Sequence, residues 1–222
     1  MKDSDIRPHR ARSLLALLAL TWLPACQDSA PPDPKLGILT SSTDSLATAA
    51  EIRASLSGET APGAEAYSFR GLYAGMPRAR LERTILGTGV AADSAACQPS
   101  DKIPAELRCN YDSALGADHA PVHVSVLYTA AAKDGQRAAR EIIVVRSLPL
   151  DVDGVRLAGA LADAFERQTT LLDSRDATYG RHQAHIRMGT LNGARAHFAE
   201  VTVTSHSGRE ELTVRLGRGT GG

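Results

Sequence analysis

The chain has 222 residues, in which 25 Lys and Arg balance 25 Asp and Glu for a formal charge of zero. That balance excludes the basic footprint of a nucleic-acid binder and a polybasic surface for anionic lipid. Aromatic residues make up 4 %, so the core must be built from Val, Leu, Ile and Ala, and a broad aromatic stacking platform is excluded.

At the N-terminus, Arg7, Arg10 and Arg12 precede an apolar run, Ser13 to Leu23. It is shorter than the roughly 20 residues of a membrane span, and residues 1–25 read as a signal peptide. The run ends in Leu23-Pro24-Ala25-Cys26, which resembles the bacterial lipobox, with Pro24 where a small residue is more usual. An ordinary secretory signal with a chance cysteine is the plainer alternative. The resemblance implies cleavage before Cys26 and lipidation of its sulfur and amino group (diacylglyceryl, then a palmitate-type acyl chain). Stable anchoring needs more than one such chain. Cleavage would remove four basic and two acidic residues, leaving 197 residues with 21 basic and 23 acidic, and would also remove Trp22. Gln27 follows the cysteine. In well-studied diderm bacteria an aspartate there favours the inner membrane. The expected location is therefore the outer membrane, facing the periplasm, with the outer face of the inner membrane as the alternative.

Residues 26–66 read as a flexible tether containing Pro31, Pro32 and Pro34, with a short alanine-rich helix over Ser42 to Leu56. Leu46, Ala49, Ile52 and Leu56 give that helix a weak apolar stripe. A globular domain is expected over 67–217, with subunits 67–149 and 150–217 and a disordered tail at 218–222. Its first unit has a strand over Ser68 to Leu72, then a helix from Pro77 to Leu86 with Met76, Leu81 and Ile85 inward and Gly87 as its stop. An irregular segment follows around Cys97 and Cys109. Val122, Val124, Val126 and Tyr128 then alternate as a strand, and Asp134-Gly135 turns the chain into a return strand, Glu141 to Arg146.

The second unit opens at Asp151 to Gly154, with Asp153 as N-cap. Leu157, Leu161, Ala164, Phe165 and Leu172 mark the buried face of its helix. Ala184, Ile186 and Met188 alternate; Asn192-Gly193 turns; His197, Ala199, Val201 and Val203 form one face of the next strand. Ser207-Gly208 leads to a last strand through Leu212, Val214 and Leu216. The fold class is α+β, with helices packed on antiparallel sheet in two sequential helix-plus-strands units.

The stretch Gly75-Met76-Pro77 through Leu81 and Ile85 to Leu86-Gly87 resembles a helix-start motif of small envelope lipoproteins. Similar residues occur in the outer-membrane assembly lipoprotein BamE and in the fold-related β-lactamase inhibitor proteins. Pro77 departs from their usual hydroxyl cap, and Arg80 stands where an acid or amide is common. The resemblance implies a non-enzymatic protein-binding module and covers about a dozen residues directly.

Cys97 and Cys109 read most simply as a disulfide of an oxidising compartment. A redox or metal-binding thiol pair is the alternative, without CxxC spacing to favour it. No GxSxG, P-loop, HExxH or dinucleotide fingerprint is present. Asp151-Val152-Asp153-Gly154 resembles part of a calcium loop but lacks the terminal acid. His182 and His185, three apart in a strand, would point to opposite faces, and His119, His123, His197 and His206 are scattered. Asp112, Asp118 and His119 near Ser113 show no ordered nucleophile and base. No catalytic, cofactor or metal residue is assigned. The expected function is a lipid-anchored envelope module that binds another protein or supports envelope assembly, and the alternative is a ligand- or metal-binding periplasmic lipoprotein.

Overall fold

The computed structural model describes residues 42–58, 66–87, 96–115, 120–170, 172–190 and 196–219. The signal segment with Cys26, the proline-rich stretch, Asp118, His119 and Asn192-Gly193 lie outside the described residues. The elements are α1 (Ser42–Ser55), β1 (Ser68–Phe69), β2 (Leu72–Tyr73), α2 (Arg78–Leu86), β3 (Ala96–Pro99), β4 (Leu107–Leu115), β5 (Ala120–Tyr128), β6 (Ala139–Ser147), α3 (Gly154–Gln168), β7 (Leu172–Tyr179), β8 (Ala184–Thr190), β9 (His197–His206) and β10 (Arg209–Arg218). Among the described residues no helix is long and apolar enough to cross a membrane.

The fold is α+β. β1 and β2 form a small hairpin, and the other strands form one antiparallel sheet in the order β3-β4-β5-β6-β10-β9-β8-β7. The two expected units are therefore two four-stranded meanders that share a sheet, joined last strand to last strand where Val144 faces Val214. Strand register explains the buried layer. Tyr111, Val124, Val144, Val214, Val201 and Ile186 lie in one row across β4, β5, β6, β10, β9 and β8. Each is at most 2 % exposed. Burying a side chain of this size contributes about 1.5–3 kcal/mol, so a one-residue slip of any strand would forfeit several such terms.

Two helices supply the other half of this core. α2 buries Leu81 and Ile85, with Met76 just before it 1 % exposed. Pro77 sits at its N-cap, one residue earlier than the sequence suggests, and pairs with Ala138 as an isolated bridge. α3 buries Leu157, Leu161, Ala164 and Phe165, and Asp153 accepts a hydrogen bond from the Arg156 amide at 2.9 Å. That cap accounts for the Asp-Val-Asp-Gly stretch as a turn and helix start.

Several expectations are corrected. α3 ends at Gln168, and Leu172 opens strand β7 instead of extending the helix. β7 went unread because its residues are exposed from Arg175 to Tyr179, leaving no apolar alternation to detect. The segment around Cys97 is a regular hairpin, β3 with β4, in which Cys97 lies directly opposite Cys109. The strand expected over Ser68 to Leu72 is broken by Arg70-Gly71, with φ of 49° and 78°, into two short arms. β10 continues through Gly217 and Arg218, and the Gly219 amide bonds Ala196 O at 2.6 Å, so the strand takes in the start of the expected tail. The globular unit also takes in α1, which packs on α3, instead of beginning near Tyr67.

Candidate functional site

Opposite the helix-covered layer, the sheet presents a second face that none of the described helices covers. One row across it runs Ser125, Ile143, Arg215, Glu200, Arg187 and Asp176; the next runs His123, Val145, Thr213, Thr202 and His185. Six of the strands in register span on the order of 25 Å at about 4.8 Å per strand. The surface is broad and of mixed polarity, with Ile143, Val145 and Phe198 half-buried among charges.

Arg215 organises its centre. Its Nη2 donates to Glu141 Oε2 at 2.8 Å and its Nη1 to Glu200 Oε2 at 3.4 Å, spanning β6, β10 and β9. Glu200 Oε1 pairs with His185 Nε2 at 2.7 Å. Partial burial alone would raise the Glu200 carboxyl; the His185 hydrogen bond and the Arg215 charge outweigh it and hold that carboxyl below its ordinary value. The hydrogen bond to Glu141 raises Arg215 against the opposing effect of burial. The guanidinium carbons of Arg215 and Arg187 lie 5.2 and 5.9 Å from the Phe198 ring centroid. Partly exposed ion pairs of this kind contribute little stability; here they fix where the charges stand.

The candidate histidines do not converge. His123 pairs with Asp112 at 2.9 Å on the uncovered face, and His185 joins Glu200. His182 lies before β8, in the turn after β7, where it pairs with Glu210 at 3.2 Å. His197 is buried on the covered face, and His206 is exposed at the end of β9. Among the described residues no group of three or more His, Cys, Asp and Glu is placed to hold a metal ion. The sulfurs of Cys97 and Cys109 stand at disulfide distance, 2.08 Å.

A second polar cluster lies under α2. Arg78 Nε donates to Glu82 Oε1 at 2.8 Å, and Tyr111 Oη donates to the same oxygen at 3.0 Å. Tyr111 spends its single proton there, so Tyr128 Oη, 3.0 Å away, donates to Tyr111. Burial, together with the neighbouring Glu82 charge, pushes the Tyr111 phenol up to about 12, and burial raises Tyr128 as well. Beside this cluster, a cavity of about 490 Å³ opens between the first turn of α2 and the β5–β6 loop.

Sequence reasoning missed Arg215, Glu141, Glu200 and Phe198. The available signal was the set Phe198, Glu200 and Thr202, two of its three residues polar, which alternates with the wholly apolar set Ala199, Val201 and Val203 along β9. Comparison with known proteins finds no matching family model, no curated relative and no matching solved structure.

Proposed function

We propose that this chain is a lipid-anchored envelope protein, held through Cys26, whose uncovered sheet face docks a protein partner. No catalytic role is assigned. The observation that carries the reading is the Arg215 centre: charges of both signs, oriented by one another, around half-buried Ile143, Val145 and Phe198. A broad face of mixed polarity suits a macromolecule better than a small ligand, which favours a concave site. The chemistry that fits is a polypeptide segment offering an apolar side chain to this patch and a carboxylate to exposed Arg187. Aromatic and Arg anchors of this type dominate protein interfaces. The Gly75–Gly87 stretch, with its resemblance to BamE and the β-lactamase inhibitor proteins, points the same way, while the lipobox-like Leu23–Cys26 supports the anchor and Gln27 the outer membrane facing the periplasm.

Two experiments test the parts separately. A Cys26→Ser variant should leave the membrane fraction; unchanged partitioning removes the anchor. For the face, a photo-crosslinking residue is placed at Thr213, with a control at exposed Arg167 on α3. The expected result is one adduct from Thr213, absent from Arg167, whose purified protein binds the chain with a Kd weakened at least about tenfold by Arg187→Glu. Adducts equal at both positions, or binding indifferent to Arg187→Glu, would overturn the docking face.

A further inference from the structure

α1 meets the rest of the domain through its polar side. Thr48, Glu51 and Ser55, which share one helix face, are 1, 5 and 0 % exposed, whereas Leu46 is 70 % exposed. Glu51 Oε1 accepts from Arg70 Nη2 at 2.7 Å and from Arg146 Nη1, and Ser55 Oγ donates to it at 3.4 Å. Arg70 comes from the β1–β2 turn and Arg146 from the end of β6, so one carboxylate ties α1 to two separate elements. The C-terminal carbonyl end of α1 is tied as well: Ser55 O accepts from the Arg70 amide at 2.8 Å. At the start of α3 the Asp153 amide donates to Thr48 Oγ1 at 3.1 Å. Among the described residues, its apolar side chains packed against the core are the partly buried Ala47, Ile52 and Leu56.

These contacts make an element that is either fully docked or not docked. A helix of this length is marginal in isolation. The net gain from a buried ion pair is small because desolvation offsets the attraction, yet removing one member of a buried charge cluster is costly. Elements with few buried apolar contacts open locally while the core stays folded. The central strands are the opposite case, with Val201, Val203, Val214 and Leu216 each at most 1 % exposed.

We propose that α1 is a latch, closed by Glu51 between Arg70 and Arg146, that opens as a unit while the eight-stranded sheet stays intact. Where the chain is anchored at Cys26, opening transfers residues 42–58 to the tether and lengthens its reach by up to roughly 60 Å. That consequence rests on the anchor proposed above; the latch itself does not.

Hydrogen exchange read by mass spectrometry on the chain, on Glu51→Gln and on Thr48→Val tests it. In the parent, α1 amides are expected to exchange about 100-fold faster than those of β9 and β10. Glu51→Gln should accelerate α1 by a further 100-fold or so, leaving β9 and β10 unchanged. Thr48→Val should give a smaller acceleration confined to α1, which keeps the test readable if Glu51→Gln does not fold. Exchange of α1 in step with β10 in the parent would overturn the latch, as would equal acceleration of every strand by either substitution. Cys26→Ser should leave the exchange pattern unaltered, so failure of the anchor and failure of the latch are told apart.

Discussion

The ring of Phe198 lies across Gly217 on the neighbouring strand, so close that a Cβ on residue 217 would fall 2.1 Å from two ring carbons. The two residues face each other in the β9–β10 register. The ring thus covers backbone that no side chain shields, and its position over Gly217 brings it beneath Arg215 and Arg187.

Gly217→Ala should therefore displace the ring. Overpacking of this kind costs about 1–3 kcal/mol, here toward the lower end because Phe198 is half-exposed and can swing outward. Urea unfolding of Gly217→Ala, Phe198→Ala and the double variant checks it. The alanine at 217 should cost clearly less in the Phe198→Ala background, a coupling of about 0.5 kcal/mol or more. Strict additivity would mean that the ring does not rest on Gly217.

Glu200 carries an acid-sensitive part of the stability. Its folded carboxyl is held below the ordinary 4.5 by His185 and Arg215, against the effect of burial. A depressed folded value contributes stability that is complete above the unfolded value and is lost as pH falls through the folded one. The parent should exceed Glu200→Gln by roughly 1 kcal/mol at neutral pH, the scale of a partly exposed pair. That advantage should hold down to about pH 5 and shrink below 4.5 in urea titrations. A difference that grows on acidification would reverse the sign and remove His185 and Arg215 as the cause.

How much of this was legible beforehand follows from distance along the chain. Alternation exposed the strands through Val122–Tyr128 and His197–Val203, Asp134-Gly135 marked the turn from β5 to β6 and Asp153 the cap of α3, because each signal is local. β7 has no buried face from Arg175 onward to alternate. The inward face of α1 was unreadable for another reason: its polar residues are buried only because Arg70 and Arg146, 19 and 95 positions from Glu51, come to meet them. A reading built on apolar stripes selects Leu46, which the structure leaves in solvent. The Arg215 centre is likewise assembled from three strands, with Glu141 lying 74 positions away.

The Cys97–Cys109 pair pins the four-residue edge strand β3 to β4, and every residue of β3 is exposed. With so little burial of its own, β3 depends on the crosslink. Closing a loop of this length is worth about 3 kcal/mol in the chain-entropy model. Cys97→Ser/Cys109→Ser should lose about that amount, and its β3 amides should exchange faster than those of β5. Labelling of either cysteine by an alkylating reagent in the native, unreduced protein would show that the bond is not formed in solution.

The tyrosine relay sets the alkaline limit. Tyr128 donates to Tyr111 and Tyr111 to Glu82, while burial keeps both phenols protonated above their usual range, with Tyr111 at about 12. Burial, with Glu166 nearby, likewise pushes Tyr67 to about 12. In the unfolded chain these groups ionise near 10, so between pH 10 and 12 the unfolded state binds fewer protons than the folded one. Stability should be complete below pH 10 and fall as pH rises toward 12. Tyr111→Phe breaks the relay. It should lower stability at neutral pH by about 1–2 kcal/mol, because Tyr128 and Glu82 each lose a buried partner, and it should flatten the alkaline decline. Unfolding followed by tyrosinate absorbance separates the two effects. A decline equally steep in Tyr111→Phe would place the alkaline sensitivity with the two remaining buried phenols, Tyr128 and Tyr67, the latter 5.9 Å from the Phe165 ring.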